Sequence, residues 1–114
     1  MSRVAILLMT ALGLSLTVPA LAGAVNFSIM NAAGANLSGL SIRRVGSGQW
    51  QSLGVSAQAG TSAAVTFSDP DCAFDLRATL TGGAIVTWPG VNLCAVKLVT
   101  LRRNAAGLAW VDYD

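Results

Sequence analysis

The chain has 114 residues, enough for one domain, with seven lysines and arginines against five acidic residues and no histidine. That near-neutral balance gives no electrostatic footprint for nucleic acid or an anionic membrane. The missing histidine removes Ser-His-Asp and Cys-His nucleophilic catalysis and the commonest metal ligand.

The first segment sets the compartment. Met1-Ser2-Arg3 carries one positive charge, Val4 to Val18 carries none, Pro19 breaks the run, and Ala20-Leu21-Ala22 places small residues before Gly23. This charged, apolar, small-residue order predicts a helical secretory signal peptide over residues 1–22, cut before Gly23. An uncleaved anchor needs about 20 apolar residues, and this run is shorter and closes on Pro19. There is no twin arginine, and no cysteine follows the run to take a lipid. The remaining chain, residues 23–114, is read as a single domain with six cationic side chains against five aspartates. It is expected in the periplasm, free of the membrane once the signal is removed.

Short alternating runs follow, separated by Gly, Asn, Asp, Pro and Ser. Val25 to Ile29 alternates, and Asn31 to Asn36 is a turn-rich link. Leu40 to Val45 is a second strand, stopped by Gly46-Ser47-Gly48. Trp50 to Val55 is a short apolar piece of undecided type, and Ala63 to Phe67 alternates again. Ser68-Asp69-Pro70-Asp71 is a turn by its chemistry. From Cys72 to Leu80, Cys72, Phe74 and Leu76 share one face and Asp75, Arg77 and Thr79 the other. Gly82-Gly83 turns the chain into Ile85 to Trp88. Pro89-Gly90 is read as another turn, leading to Val91 to Cys94. Lys97 to Arg103 and Leu108 to Tyr113 complete the set. The expected fold is all-β, an antiparallel β-sandwich of seven or eight short strands, with a small closed β-barrel as the alternative.

Cys72 and Cys94 are the two cysteines. An even count in an exported chain predicts a structural disulfide. A metal site needs more ligands than two thiolates, and a redox pair normally lies closer in sequence. Acid–base chemistry would have to draw on Asp69, Asp71, Asp75, Asp112 and Asp114, since there is no glutamate. Two of these lie in a turn and two at the C terminus, where solvated aspartates are ordinary. Lys97 is the lone lysine and carries no accompanying serine motif. Asp69-Pro70-Asp71 lacks the glycine and distal carboxylate of a helical calcium loop. No catalytic, metal or cofactor residue is therefore assigned. The candidate interaction surface is drawn from Asp75, Arg77, Trp88 and Trp110, with Trp50 and Tyr113 also available as aromatics.

Cys72-Ala73-Phe74-Asp75-Leu76-Arg77, the Gly82-Gly83 turn, Trp88, Val91-Asn92-Leu93-Cys94, Thr100-Leu101 and Trp110-Val111-Asp112-Tyr113 together resemble a family of small exported proteobacterial proteins. That family is marked by an opening Phe/Val-rich strand ending in Asn, then Cys-x-x-Asp-Leu-Arg, a glycine turn, Trp and Asn-Leu-Cys. The resemblance spans Val25 to Tyr113 and implies a periplasmic location, a Cys72–Cys94 bond and a compact β fold. It carries over no catalytic or binding residue, and the Gly46 to Gln49 loop departs from it in being shorter and less charged. The expected role is a non-enzymatic binding or protein-interaction module for an unknown protein or envelope ligand. A small hydrolase or metal-dependent enzyme using Asp side chains is the alternative, and an envelope-assembly subunit is a third reading.

Overall fold

A computed structural model describes residues 23–114; the segment read as a signal peptide lies outside them. Eight strands form: β1 (Phe27–Ala32), β2 (Leu37–Arg44), β3 (Gln51–Ser52), β4 (Ser62–Val65), β5 (Ala73–Leu80), β6 (Ile85–Asn92), β7 (Leu98–Arg103) and β8 (Ala109–Tyr113). They build two four-stranded sheets, the first ordered β4-β1-β7-β8 and the second β3-β2-β5-β6. The two sheets remain separate, so the fold is a sandwich and not a closed barrel.

Period-two patterning explains which face each strand buries. Phe27 and Ile29 of β1 and Val99 and Leu101 of β7 turn inward from the first sheet. Ile42 of β2, Phe74, Leu76, Ala78 and Leu80 of β5, and Val86, Trp88 and Val91 of β6 meet them from the second. Three aromatic rings tie the sheets together at one end. Phe67 stands edge-on to Phe27 at 6.4 Å and to Phe74 at 5.2 Å, in the T-shaped geometry favoured by the ring quadrupole.

Three local features differ from the strand pattern expected. β1 pairs parallel with β7, while the other strand pairings are antiparallel. Parallel neighbours need a long crossover, and here the whole second sheet lies between them in sequence. Pro89-Gly90 is not a turn: β6 runs straight through it to Asn92. Proline is tolerated because β6 is an edge strand with no neighbour asking for its N–H. Gly90 takes φ 63°, and the register slips between Phe74 and Leu76, so Pro89 and Gly90 together oppose Asp75. This is a β-bulge. Finally, Trp50 to Val55 yields only the two-residue β3, paired with Ser41 and Ile42.

Asn31 was read as loop but lies within β1, fully buried. Its Nδ2 donates to the carbonyls of Ala35 (2.8 Å) and Ala57 (2.9 Å), and its Oδ1 accepts from the Ala33 N–H (3.0 Å). One amide thus closes the β1–β2 turn and pins the chain ahead of β4. Asn31→Leu keeps the branched shape and leaves the Ala33 N–H and the Ala35 carbonyl without this partner, while the Ala57 carbonyl keeps its bond from the Leu37 N–H. The expected cost is about 2–4 kcal/mol, read as a fall in thermal midpoint of more than about 8 °C.

The chain after Gly23 is seated in the fold. Ala24 is buried and bridges both Asp69 and Cys94. A Cβ at Gly23 would stand 2.1 Å from the Asp69 carbonyl oxygen, so no larger residue fits there without movement.

Candidate functional site

The outward face of the second sheet holds the most organised group of polar and aromatic side chains. Alternation along β2 and β5 sends Arg43, Asp75 and Arg77 to this face, opposite the buried Ile42, Phe74 and Leu76. Pairing register then sets their spacing. Arg43 lies directly across from Asp75, and Arg77 across from Ser41 on one side and Thr87 on the other.

Asp75 is only 7% exposed despite facing outward. It accepts from Arg43 Nε at 2.9 Å and from the Gly90 N–H at 2.9 Å. The bulge in β6 thus turns a backbone donor onto the carboxylate, and Asp75 braces β2, β5 and β6 together. Trp50, immediately before β3, lies over this group. The Arg43 guanidinium carbon is 4.5 Å from its ring centroid and that of Arg77 is 4.0 Å away. Each such cation–π contact is worth about 0.5–1 kcal/mol at an exposed site. Among the described residues, Arg77 has no carboxylate partner, as Arg103 and Lys97 also have none, whereas Arg43 and Arg102 each have one and Arg44 has two.

The four residues singled out from sequence are therefore dispersed. Asp75 and Arg77 do share one face, but Asp75 is a brace more than a contact surface. Trp88 is a correction: it is fully buried in the core, where its Nε1 donates to the Arg102 carbonyl at 2.9 Å. Val86 and Trp88 take the inward positions of β6, which places the indole between the sheets. Trp110 is 41% exposed but belongs to β8, across from Arg102 on the other sheet. Trp50 joins the group in its place. Nothing in the alternation of β2 and β5 points to it, because its position depends on the short β3 pairing.

A second charged group lies at the end of β2. Arg44 reaches Asp69 through Nη2 (3.1 Å) and Asp71 through Nε (3.1 Å), and the Asp71 N–H donates to Asp69 Oδ1 (2.8 Å). Partial burial is the largest influence on Asp69 and opposes its ionisation. The Asp71 N–H and the Arg44 guanidinium, by hydrogen bond and by charge, outweigh it and hold the carboxyl below its ordinary range. The same pairing raises Arg44. A lowered carboxyl contributes stability above its unfolded value and loses it as pH falls through the folded one. The thermal midpoint should therefore drop on acidification below about pH 4, and Asp69→Asn should flatten that part of the profile. Arg44 occupies the position a cation would take. Among the described residues, no group of three or more Cys, Asp or Glu side chains is placed to hold a metal ion.

Cavities flank the sandwich, among them a shallow one of about 270 Å³ beside β1 and β4 and two at the margins of the second sheet. One of about 180 Å³ lies beneath the Ser47–Gln49 loop, lined by Arg43, Arg44, Asp69 and Phe67. A wider groove of about 430 Å³ separates β6 from the β7–β8 turn, with Ile85, Leu108 and Arg103 at its walls. Cys72 and Cys94 form the expected disulfide, joining the open ends of the β5–β6 hairpin with their Cα atoms 5.0 Å apart.

No family model matches the chain, and no curated protein matches it. Among solved structures, the chain is similar to an NMR structure of a protein from Eubacterium rectale, with a TM-score of 0.58, 15% identity, and coverage of 79% of this chain and 87% of that one. At that identity the likeness speaks for the fold alone.

Proposed function

We propose that the protein is an exported periplasmic β-sandwich that acts by binding, not by catalysis, and that its recognition surface is the outward face of the second sheet. The single observation that carries this reading is the Trp50 group. An indole is held over two guanidiniums, one of them without a carboxylate partner, on a strand face braced by Asp75. Pre-ordered aromatic and arginine side chains are the residue types that dominate binding hot spots. The sheet orders the two arginines and they in turn hold the indole, so little entropy is lost when a partner arrives.

Export is supported by the order of the Met1–Ala22 segment and by the disulfide, which persists in oxidising compartments. Four of the five Asp side chains that chemistry would need, Asp69, Asp71, Asp75 and Asp112, are engaged in ion pairs with Arg43, Arg44 and Arg102. The test is affinity capture from periplasmic extract with wild-type protein and with Trp50→Ala at matched thermal stability. A reproducible partner retained by the first and lost by the second is expected. A partner held equally by both, or none at all, would overturn the assignment of this face.

A further inference from the structure

The composition of the Trp50 group says what kind of partner it fits. Arg43 and Arg77 stand diagonally on β2 and β5, about 7–8 Å apart for such a pairing. Both guanidiniums lie against the one indole, so the two like charges repel, and among the described residues Asp75 is the one carboxylate paired with either of them. Asp75 takes the Nε of Arg43 on one oxygen and the Gly90 N–H on the other, and makes no hydrogen bond to Arg77. The terminal Nη groups of Arg43 and the whole guanidinium of Arg77 are left without a carboxylate among the described residues. Neighbouring side chains do not supply one: Ser41 and Thr87 flank Arg77 across the sheet, and Thr79 follows it on β5.

The group therefore carries two cations and one anion, an excess of one positive charge. A single carboxylate neutralises it, whereas a phosphate dianion overshoots. The Arg43–Asp75 pair also displays the preferred partner within the chain itself, since guanidinium and carboxylate match as planar forks. The shape of the surface decides the size of the ligand. Small-molecule sites are concave and bury most of the ligand. Here Arg77 and Trp50 lie on the broad side of a sheet and line none of the cavities, and Arg43 alone of the three borders one, the small cavity at the end of β2. A free carboxylate would stay largely solvated on such a face, whereas a protein segment can cover it.

Resting on the binding reading above, we propose that the Arg43–Trp50–Arg77 face docks an acidic segment of a partner protein, with an Asp or Glu side chain of the partner bonded to Arg77. Trp50 and Asp75 are positioning residues that hold the two guanidiniums ready.

The experiment is an NMR titration of the disulfide-bonded chain starting at Gly23. The probes are a synthetic Glu/Thr-rich peptide, its Gln/Thr counterpart, sodium acetate and inorganic phosphate. The Glu peptide is expected to shift the Trp50 indole and Arg77 Nε–H signals. Binding should weaken at least tenfold with the Gln peptide or with Arg77→Gln, and should be unaffected by Arg102→Gln on the opposite sheet. Acetate should shift the same signals only weakly, since it brings the carboxylate without the covering chain. Equal binding of the Glu and Gln peptides at this face would overturn carboxylate recognition while leaving the binding surface in place. Phosphate binding more tightly than the Glu peptide, or Arg77→Gln binding like wild type with an unchanged thermal midpoint, would overturn it as well. Shifts confined to the other sheet would sink both this inference and the reading on which it rests.

Discussion

Trp88→Ala is expected to lower the unfolding free energy by about 3–5 kcal/mol. Trp88 is the bulkiest of the fully buried side chains. It lies on β6 of the second sheet, yet its Nε1 bonds the Arg102 carbonyl on β7 of the first. Truncation therefore opens a cavity between the layers and removes the hydrogen bond that links them. Domains of this size have only about 5–15 kcal/mol to lose, so the variant should sit near the edge of folding. Trp88→Phe fills most of the volume and removes only the hydrogen bond, for about 1 kcal/mol from the bond itself. Urea denaturation of the two variants separates the contributions. A Trp88→Ala loss below about 1 kcal/mol would mean that the indole is not in the core.

Replacing both Cys72 and Cys94 by serine should cost about 3 kcal/mol, the chain-entropy value for residues 22 apart. Cys72 is exposed and Cys94 half-buried, so removing the sulfurs leaves no large void. The β5–β6 hairpin already brings the two ends together, and the Leu93 N–H still donates to the Cys72 carbonyl at 2.8 Å. The effect therefore falls on the unfolded chain, which gains freedom. Two readings of one urea titration check this: a lower midpoint, and a steeper dependence on denaturant as the unfolded state expands. A native-state NMR spectrum changed far from Cys72 and Cys94 would contradict it, because it would show that the bond holds the folded structure in shape.

Much of the architecture is legible in the residues. Alternation from Cys72 to Leu80 places Phe74 and Leu76 inward and Asp75 and Arg77 outward, and the structure keeps that division. The pair of cysteines is joined as its compartment implies. What is not legible depends on partners distant in sequence. Pro89-Gly90 has the chemistry of a turn, and only its place on an edge strand opposite Asp75 makes it a bulge. Asn31 has the composition of a loop, but carbonyls 4 and 26 residues away draw its amide inside.

The site divides in the same way. Strand alternation is enough to bring Asp75 and Arg77 to one face, and Arg43 joins them through the β2–β5 register. Trp88 fails as a surface residue because a tryptophan has the same composition whether it faces solvent or core. Its neighbour Val86, two residues earlier, carries the signal that it points inward. Trp50 has no such periodic neighbour: β3 is two residues long, and the indole is placed by its contacts with Arg43 and Arg77.

The central claim is that the outward face of the second sheet is where this protein meets its partner. The most direct measurement is photo-cross-linking in living cells, with a photoreactive residue placed at Thr79 on that face or at Ser62 on the first sheet. One discrete adduct is expected from position 79, lost when Arg77→Gln is added, and none from position 62. Adducts from position 62 alone, or an adduct at 79 indifferent to Arg77, would contradict it.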